Sequence, residues 1–317
     1  MNARTAFLIG AILFWANSSV GFAEVEFSIA SINAYRLFDD VDDNNKVPVN
    51  NSVKFKNKIS KIGLKIISVL NSPDVIAFQE IENKNVLTQI ADFIQRNVNV
   101  SYQAVFRDGN DRSGINIGFL VKTDFRIPLI IQLFRHQTFG GNKQILYSRP
   151  PLLIETCLKE VCLTILNLHL RSMRGIRGNS GKKVKVKRRK QAELLASWVE
   201  SFQKNNPSQP LIILGDLNAL KPPDQYVDVV GILTGNPDNR ETELKGADLI
   251  TSNLFDLTEN IPIKSRYSYR FRGHNQQLDY LLVNRSLQQS LKHIQFIDID
   301  RSISDHAALI ARFTLTD

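Results

Sequence analysis

The chain has little cysteine, and it has no long apolar run after its first residues. Two cysteines among 317 residues allow at most one internal disulfide. Beyond residue 23, no stretch is apolar over the roughly 20 residues that a membrane-spanning helix needs. No linker rich in proline, glycine and serine divides the sequence, and its composition, 43% hydrophobic and 22% charged, is ordinary for a globular protein. We therefore expect one large domain over residues 24–317.

The first residues have the features of an export signal. Arg4 supplies a positive charge, Ala6 to Trp15 is an uncharged apolar run, and Gly21-Phe22-Ala23 offers small residues to a signal peptidase. A membrane anchor is the alternative, but the apolar run is shorter than the roughly 20 residues that span a bilayer. We expect residues 1–23 to be a cleaved signal peptide. The mature protein would then be a secreted or periplasmic monomer without stable membrane insertion.

Cys157 and Cys162 lie in the segment LLIETCLKEVCLTILNLHL. The apolar alternation on both sides predicts two strands joined by a hairpin at residues 158–161. Cysteines that flank such a turn can face each other at disulfide distance, and export to an oxidising compartment favours the bridge. A pair of small buried thiols is the alternative.

The excess of positive charge lies in one segment. The chain has a net charge of +9, and residues 171–190, RSMRGIRGNSGKKVKVKRRK, carry many basic residues and no acid. Such a segment, called the basic segment below, repels itself and attracts polyanions through counterion release. A solvated loop without a ligand is the alternative. Because the segment follows a candidate catalytic histidine, we expect it to bind substrate through Arg171, Lys182, Lys183, Lys185, Lys187 and Arg188.

Strands outnumber helices in the expected secondary structure. Apolar periodicity predicts helices over 54–70, 86–96 and 189–203. Strands are predicted over 25–33, 74–79, 118–121, 152–156, 162–168, 210–214, 278–283, 294–297 and 307–313. Several neighbouring strands are joined by hairpins, which indicates a largely antiparallel or mixed α/β architecture. Polar residues cluster at the strand ends: Asn33, Gln79, Glu80, His169, Asp216 and Asn218.

The residue types at these strand ends suit phosphoryl chemistry. Glu80 could bind Mg²⁺, which takes one or two carboxylates and completes its shell with water and phosphate. In GDLN, Asp216 could orient water while the amide of Asn218 binds a phosphate oxygen. His169 and His306 could act as general base and general acid. A solvated turn, an Asx turn or a structural histidine would explain each residue alone, so the prediction depends on the whole set.

This set, in this order, resembles the endonuclease/exonuclease/phosphatase superfamily, which includes deoxyribonuclease I. The resemblance runs from about Ser28 to Phe313, through SINAYRLFDD, PDVIAFQEIEN, SGINIGFLV, LTILNLHLRS, LIILGDLNAL, QLDYLLV and SDHAALI. The chain is also similar to the bacterial extracellular-nuclease branch in NAYRLFDD, KFKNKISKIG, SRPPL, KRRKQAELLASWV, DQYVDVVGILTG and RYSYRFRGHNQQLDYLLV. The resemblance implies a four-layer sandwich, in which two mixed, mostly antiparallel β-sheets lie face to face with helices outside.

The resemblance also implies a metal site. Glu80 matches the metal-binding glutamate of the family, and Asn33 matches the asparagine near the metal and the phosphate. Asp305 matches a ligand for a second metal or for water. The implied cofactor is Mg²⁺, with Mn²⁺ or Ca²⁺ as alternatives.

The catalytic roles that the resemblance implies fall on five residues. Asp216 and Asn218 match the pair that positions water and the scissile phosphate. His306 matches the general base or transition-state donor, and Asp279 would orient it. His169 matches the histidine that contacts the phosphate or the leaving group.

Asn116, in SGINIGF, departs from the family pattern. Many relatives have an acid here, and we expect that acid to pair with the residue that matches His169. An amide can orient an imidazole but cannot stabilise its cation by charge. We therefore expect His169 to contribute less as an acid, and we group Asn116 with the substrate-binding residues.

These features predict a secreted, divalent-metal-dependent nuclease, an endonuclease that hydrolyses phosphodiester bonds of DNA or RNA. A sphingomyelinase-like lipid phosphodiesterase is one alternative, but a membrane-active protein should carry exposed aromatic hairpins, and the basic segment has no aromatic residue. A toxin-type partner-binding subunit on the same fold is another alternative. Loss of the residues at Glu80, Asp216 or His306 would have indicated it, and all three are present.

Overall fold

The computed structural model describes residues 24–42, 48–140, 144–221 and 225–316. The predicted signal peptide lies outside these residues. None of the helices in the described ranges combines the length and the apolarity needed to cross a membrane.

Two six-stranded sheets form the centre of the molecule. The strands of the first sheet are β1 (Glu24–Leu37), β2 (Val75–Ile81), β3 (Tyr102–Phe106), β4 (Asn116–Lys122), β15 (Leu291–Ile297) and β16 (Ala308–Thr316). Those of the second are β5 (Arg126–Gln132), β8 (Leu152–Leu158), β9 (Val161–His169), β10 (Leu211–Asp216), β11 (Phe255–Asp256) and β14 (Asp279–Val283). The spatial orders are β15-β16-β1-β2-β4-β3 and β11-β14-β10-β9-β8-β5.

Shorter elements surround the sheets. Two ribbons are made of β6 (Thr138–Phe139) with β7 (Gln144–Ile145), and of β12 (Tyr269–Phe271) with β13 (His274–Gln276). The helices are α1 (Ser52–Ser68), α2 (Lys84–Val98), α3 (Gly181–Asn205), α4 (Val229–Thr234) and α5 (Arg285–Gln288). Two 3₁₀ turns cover Leu257–Asn260 and Ile263–Ser265.

Three buried layers of apolar side chains separate four layers of structure. In β1, Phe27 and Ile29 point into the core between the sheets, while Ala30 and Ile32 pack against α1 and α2. A third core lies between the second sheet and the helices α3 and α4. Since both faces of the central strands are covered, these strands are apolar almost without interruption. The predicted four-layer sandwich is therefore confirmed.

Each sheet has one parallel pair, and the remaining pairs are antiparallel. β1 pairs with β2 in parallel, and β9 pairs with β10 in parallel. A parallel pair needs a crossover connection, usually a helix, and α1 and α3 supply these connections. The carboxyl ends of all four strands carry the predicted site residues.

The predicted disulfide is present between Cys157 and Cys162, whose sulfur atoms are 2.05 Å apart. The two residues lie directly opposite each other where β8 pairs with β9. The bridge therefore closes the hairpin at the end of β9 that is remote from His169.

The basic segment is ordered differently from the prediction, because α3 begins at Gly181 and not at Arg189. The buried positions Val184, Arg188, Gln191 and Leu195 follow a helical spacing. A search for apolar residues alone could not find this face, since two of its four positions are polar. The helix can start at Gly181 because glycine has no side chain. A Cβ at this position would lie 2.2 Å from the carbonyl oxygen of Ile176, which is too close for any other residue.

Candidate active site

Three adjacent strands of the second sheet place an imidazole and two carboxylates in one row. The parallel pairing of β9 and β10 sets His169 beside Asp216, and the antiparallel pairing of β10 and β14 sets Asp216 beside Asp279. Directly opposite residues in a sheet point to the same face. His306, just before β16, completes the group from the first sheet, with its Nδ1 2.7 Å from the Oδ2 of Asp279.

The first sheet contributes Asn33 and Glu80. Glu80 has φ of 57°, in the left-handed region that costs a residue other than glycine about 1–3 kcal/mol. The pairing of β2 with β4 shifts at this point, and such bulges redirect a side chain. The carboxylate of Glu80 accepts a hydrogen bond from the backbone N–H of Arg36 at 3.0 Å and lies 3.4 Å from the Nδ2 of Asn33.

Asp216 lies at the centre of the site. Its Oδ2 is 3.2 Å from the Nδ2 of Asn33, 3.6 Å from the Nε2 of His169 and 3.9 Å from the Nε2 of His306. Its Oδ1 accepts the backbone N–H of Asn218 at 2.8 Å. Burial raises the pKa of Asp216, although the charge of His306 opposes the increase. This carboxylate is therefore a stronger proton acceptor than an exposed aspartate.

His306 is held as a cation by the acids around it. Burial alone would lower its pKa, but Asp279 raises it by charge and by a hydrogen bond. Asp216 and Asp305 raise the pKa of His306 further. A charged imidazole in this position can donate hydrogen bonds to the oxygens of a phosphate.

His169 has the opposite character. Burial holds its pKa well below the usual range, and the charges of Arg149 and His306 lower this pKa further. Among the described residues, no group hydrogen-bonds to its Nδ1. The expected pairing with Asn116 is not made, because the Asn116 side chain bonds to the carbonyl of Glu82 at 2.7 Å and to the N–H of Gly109 at 2.8 Å. His169 therefore faces Asp216 as a neutral imidazole.

A large cleft opens above these groups, with a volume of about 1240 Å³. Basic side chains line much of it: Arg36, Arg149, Arg171, Arg174, Arg177, Lys187 and Arg272. Fewer acids line it, and most of these belong to the site: Glu80, Asp111, Asp216 and Asp305. The upper part of the cleft is therefore positively charged and suits an anionic ligand.

The structure divides the predicted substrate-binding residues of the basic segment into groups. Arg171 and Lys187 line the cleft. Burial lowers the pKa of Lys187 to about 8, and the neighbouring Arg171, Arg149 and Lys183 lower it as well. Lys182 and Lys183 are exposed on the first turn of α3, outside the cleft. A bound anion would relieve the repulsion between Lys187 and the cations that lower its pKa.

Among the predicted substrate-binding residues, Lys185 and Arg188 make contacts within the protein and do not line the cleft. Lys185 pairs with Glu243 at 2.5 Å. Arg188 is only 1% exposed, and its guanidinium donates to the carbonyls of Arg171 at 2.8 Å and Asn218 at 2.6 Å. The prediction that Arg188 binds substrate is corrected accordingly. Arg188 ties α3 to the two loops that follow His169 and Asp216.

The sequence reasoning did not assign several residues that shape the site. Arg149, from the SRPPL stretch, lines the cleft and pairs with Asp111 at 2.6 Å. Asn167 is a polar residue inside the apolar run LTILNLHL, and this was the available signal for its role. Its amide accepts from Gln79 at 2.8 Å and donates to the carbonyl of Phe78 at 3.0 Å. It therefore fixes the two sheets to each other beside the site.

The donors around Glu80 fit a hard divalent cation. Asp305 is exposed and lines the same cleft as Glu80. Burial lowers the pKa of Lys58 to about 8, while the charges of Glu80 and Asp305 raise it. Carboxylate and amide oxygens in an open arrangement are what Mg²⁺ accepts in proteins, since it keeps several waters. Glu80 would hold the ion, with Asn33 and Asp305 beside it.

The described residues do not offer a closed metal cage at this site. Within them, the one group of three His, Cys, Asp or Glu side chains with ligand atoms within 4.8 Å of one another is Glu155 with Cys157 and Cys162. The sulfur atoms of those cysteines are bonded to each other. The site at Glu80 therefore suits an ion that draws part of its coordination from water and phosphate.

The fold and the acid–histidine pairs define a class of hydrolases that act on phosphate esters. The chain belongs to the endonuclease/exonuclease/phosphatase family, since a sequence model of that family matches residues 28–312. No curated protein matches the chain significantly.

Solved structures share this fold at low sequence identity. TDP2 from Caenorhabditis elegans is 17% identical, with a TM-score of 0.60 over 91% of this chain and 74% of that chain. TDP2 from D. rerio, complexed with a single strand DNA product, is 17% identical, with a TM-score of 0.54 over 91% of this chain and 98% of that one. The mannosyl-6-phosphatase Bt3783 of Bacteroides thetaiotaomicron is 16% identical, with a TM-score of 0.53 over 90% and 98%. At these identities the likeness shows the fold alone.

Proposed function

We propose that the protein is a secreted, divalent-metal-dependent nuclease, an endonuclease that hydrolyses phosphodiester bonds of DNA or RNA. The observation that carries this proposal is the band of cations that lines the cleft above Asp216 and the two histidines. The disulfide between Cys157 and Cys162 supports export, because such bonds persist in oxidising compartments.

Each group at the floor of the cleft has a role in the proposed reaction. Asp216 orients a water molecule and accepts its proton as the water oxygen attacks phosphorus. The bond from phosphorus to the leaving ester oxygen breaks, and that oxygen takes a proton from solvent. His306, charged and held by Asp279, donates to the phosphoryl oxygens as negative charge develops on them. A divalent cation bound at Glu80 would offset the charge of the phosphate. Neutral His169 adds a hydrogen bond without adding charge.

A long polyanion explains the distribution of charge better than a small phosphate monoester does. Lys182 and Lys183 are exposed outside the cleft, where a ligand confined to the floor cannot reach them. Lysines that contact successive phosphates give affinity that is independent of sequence and falls steeply with salt. One of the similar structures is a mannosyl-6-phosphatase, so a sugar phosphate is the competing substrate hypothesis.

The proposal is tested by incubating the pure mature protein with plasmid DNA, RNA, sphingomyelin vesicles and mannose 6-phosphate, each with Mg²⁺ and with excess chelator. We expect the nucleic acids to be fragmented in Mg²⁺ and to remain intact in excess chelator. Hydrolysis of only the sugar phosphate or only the lipid would overturn the proposal and would identify the alternative.

The contribution of the basic segment is tested at its exposed lysines. The triple variant Lys182→Gln, Lys183→Gln and Lys190→Gln should weaken DNA binding and reduce the slope of log affinity against log salt by about one for each phosphate that the wild-type lysines neutralise. Lys204→Gln, at the other exposed end of α3, is the matched control. Arg188 is left intact because it is buried. An unchanged affinity and salt slope in the triple variant would show that these lysines are only solvated.

A further inference from the structure

The ribbon of β12 and β13 forms one wall of the cleft and is fixed at its base. An isolated backbone bridge joins Tyr269 to His306, and the N–H of Ala307 donates to the carbonyl of Ser268 at 2.7 Å. At the tip, Arg272 and Gly273 have φ of 49° and 84°, the two positive values of a type I′ turn. The wall therefore extends in a defined direction from the reacting groups.

Aromatic side chains lead outward along this wall. The ring of Tyr269 lies 5.0 Å from the imidazole of His306. Phe271 is two residues further along the same strand, and alternate residues of a strand point to the same side. Phe271 lines the cleft, yet 48% of it is exposed. The guanidinium of Arg272 lies 5.3 Å from its ring.

A second exposed aromatic side chain lines the same cleft. Tyr35 is 48% exposed, and the ammonium of Lys58 lies 5.5 Å from its ring. Tyr35 has φ of 49° and lies two residues after Asn33. The backbone N–H of Tyr35 donates to the Oδ1 of Asn33 at 3.0 Å. Its position is thus tied to the site.

We propose that Phe271 and Tyr35 are stacking surfaces for unpaired nucleobases, so that the nuclease acts preferentially on nucleic acid with an unpaired strand. This inference rests on the proposed function and names its substrate class. Within a duplex, both faces of each base are covered by neighbouring pairs, whereas an unpaired base has a free face for an aromatic ring. The cations beside the two rings suit the phosphates on either side of a stacked base.

A membrane surface fits the ribbon less well. A segment that inserts into lipid turns its apolar face outward, into the boundary between headgroups and acyl chains. Here Phe271 lies between Arg270 and Arg272, and its side chain lines the cleft that leads to His306. The aromatic surface is therefore placed for a ligand that enters the cleft.

The test compares binding of a labelled single strand of about 12 nucleotides, within the roughly 4–16 that such grooves cover, with a duplex of the same length. Binding is measured in excess chelator by fluorescence anisotropy for the wild type, Phe271→Ala, Phe271→Trp and Tyr35→Ala. Ile263→Ala is the matched control, since Ile263 is 76% exposed and does not line the cleft. Turnover of bis(p-nitrophenyl) phosphate in Mg²⁺ is measured in parallel, because damage to the reacting groups would lower that rate as well.

We expect the wild type to bind the single strand more tightly than the duplex. Phe271→Ala should lose about five- to a hundredfold in single-strand affinity, the range of one base–aromatic stack, and little in duplex affinity. Phe271→Trp should retain the preference. Equal losses on both ligands, or no loss beyond that of Ile263→Ala, would overturn the inference while leaving the nuclease itself intact. If Phe271→Ala loses binding to sphingomyelin vesicles but keeps the wild-type affinity for the single strand, the inference is overturned in favour of a membrane contact. A wild type that cleaves no nucleic acid would instead refute the proposed function.

Discussion

His306 and His169 lie on either side of Asp216, and their surroundings differ. Both are buried, with 7% and 6% of the residue exposed. His306 has Asp279 at 2.7 Å, and its pKa is raised. The described residues give the Nδ1 of His169 no hydrogen-bond partner, and its pKa is lowered.

Since both histidines are buried to a similar depth, the difference between their pKa values comes from the neighbouring charges. Burial lowers the pKa of both histidines, but the acids around His306 outweigh it. Arg149 adds to the effect of burial at His169. The two sides of the site are therefore unequal, with a cationic donor on one and a neutral imidazole beside Glu80 on the other.

The largest effect is expected at Glu80, next to the neutral histidine. Glu80→Gln should nearly abolish turnover of a small phosphodiester, because electrostatic stabilisation of the transition state is removed. Calorimetric titration with Mg²⁺ should show weaker binding as well. Glu160→Gln, at an exposed glutamate just before β9, is the control. Full turnover and unchanged Mg²⁺ binding in Glu80→Gln would place the metal elsewhere.

His306→Ala should be the next most damaging change. Loss of a positioned acid–base group costs about a hundred- to ten-thousandfold in turnover. His293→Ala, at an exposed histidine of β15, should have no effect. If His306→Ala keeps wild-type turnover, the comparison between the two histidines is wrong.

A double variant sharpens the comparison. Because Asp279 acts through His306, the combination of Asp279→Asn with His306→Ala should lose no more turnover than His306→Ala alone. Residues that act as a unit are strongly non-additive in this way. Additive losses would mean that Asp279 has a separate role in the reaction.

His169→Ala should cost less. A neutral imidazole contributes a hydrogen bond worth about 0.5–1.5 kcal/mol, so we expect a loss of turnover of about two- to tenfold. A loss as large as that of His306→Ala would show that His169 is charged in the working enzyme, and the proposed inequality would fail.

The smallest effect on turnover is expected at Asn116, where stability should change. Asn116→Asp places a carboxylate oxygen against the carbonyl of Glu82, which now accepts the amide N–H at 2.7 Å. We expect the free energy of unfolding to fall by about 1–3 kcal/mol in urea denaturation, with no gain in turnover. Asn97→Asp, at an exposed amide that donates to the carbonyl of Phe93, is the control. Increased turnover in Asn116→Asp would restore the expected pairing with His169.

Much of the fold could be predicted because its central strands are buried on both faces. The apolar runs that end in Gln79 and in Gly215 fall within β2 and β10. The edge strand β5 was missed although its residues 127–131 are all apolar, since Pro128 argues against a strand except at the edge of a sheet. The start of α3 was missed because Arg188 occupies a buried helical position.

The site could be predicted as a set of residues but not as a geometry. The sequence indicated Glu80, Asp216 and His306, and the family resemblance implied their roles. The row of His169, Asp216 and Asp279 depends on the register of strands far apart in the chain, which local patterns do not encode. The left-handed backbone of Glu80 and the hydrogen bonds of Asn116 likewise arise from tertiary contacts.

The central claim is that this cleft cleaves nucleic acid with a divalent cation held at Glu80. The most direct measurement follows an end-labelled DNA strand with the wild type in excess chelator, after Mg²⁺ is restored, and with Glu80→Gln in Mg²⁺. We predict shorter products only for the wild type in Mg²⁺, with their amount rising as Mg²⁺ is added back. Cleavage at the full rate in chelator, or by Glu80→Gln, would contradict the claim.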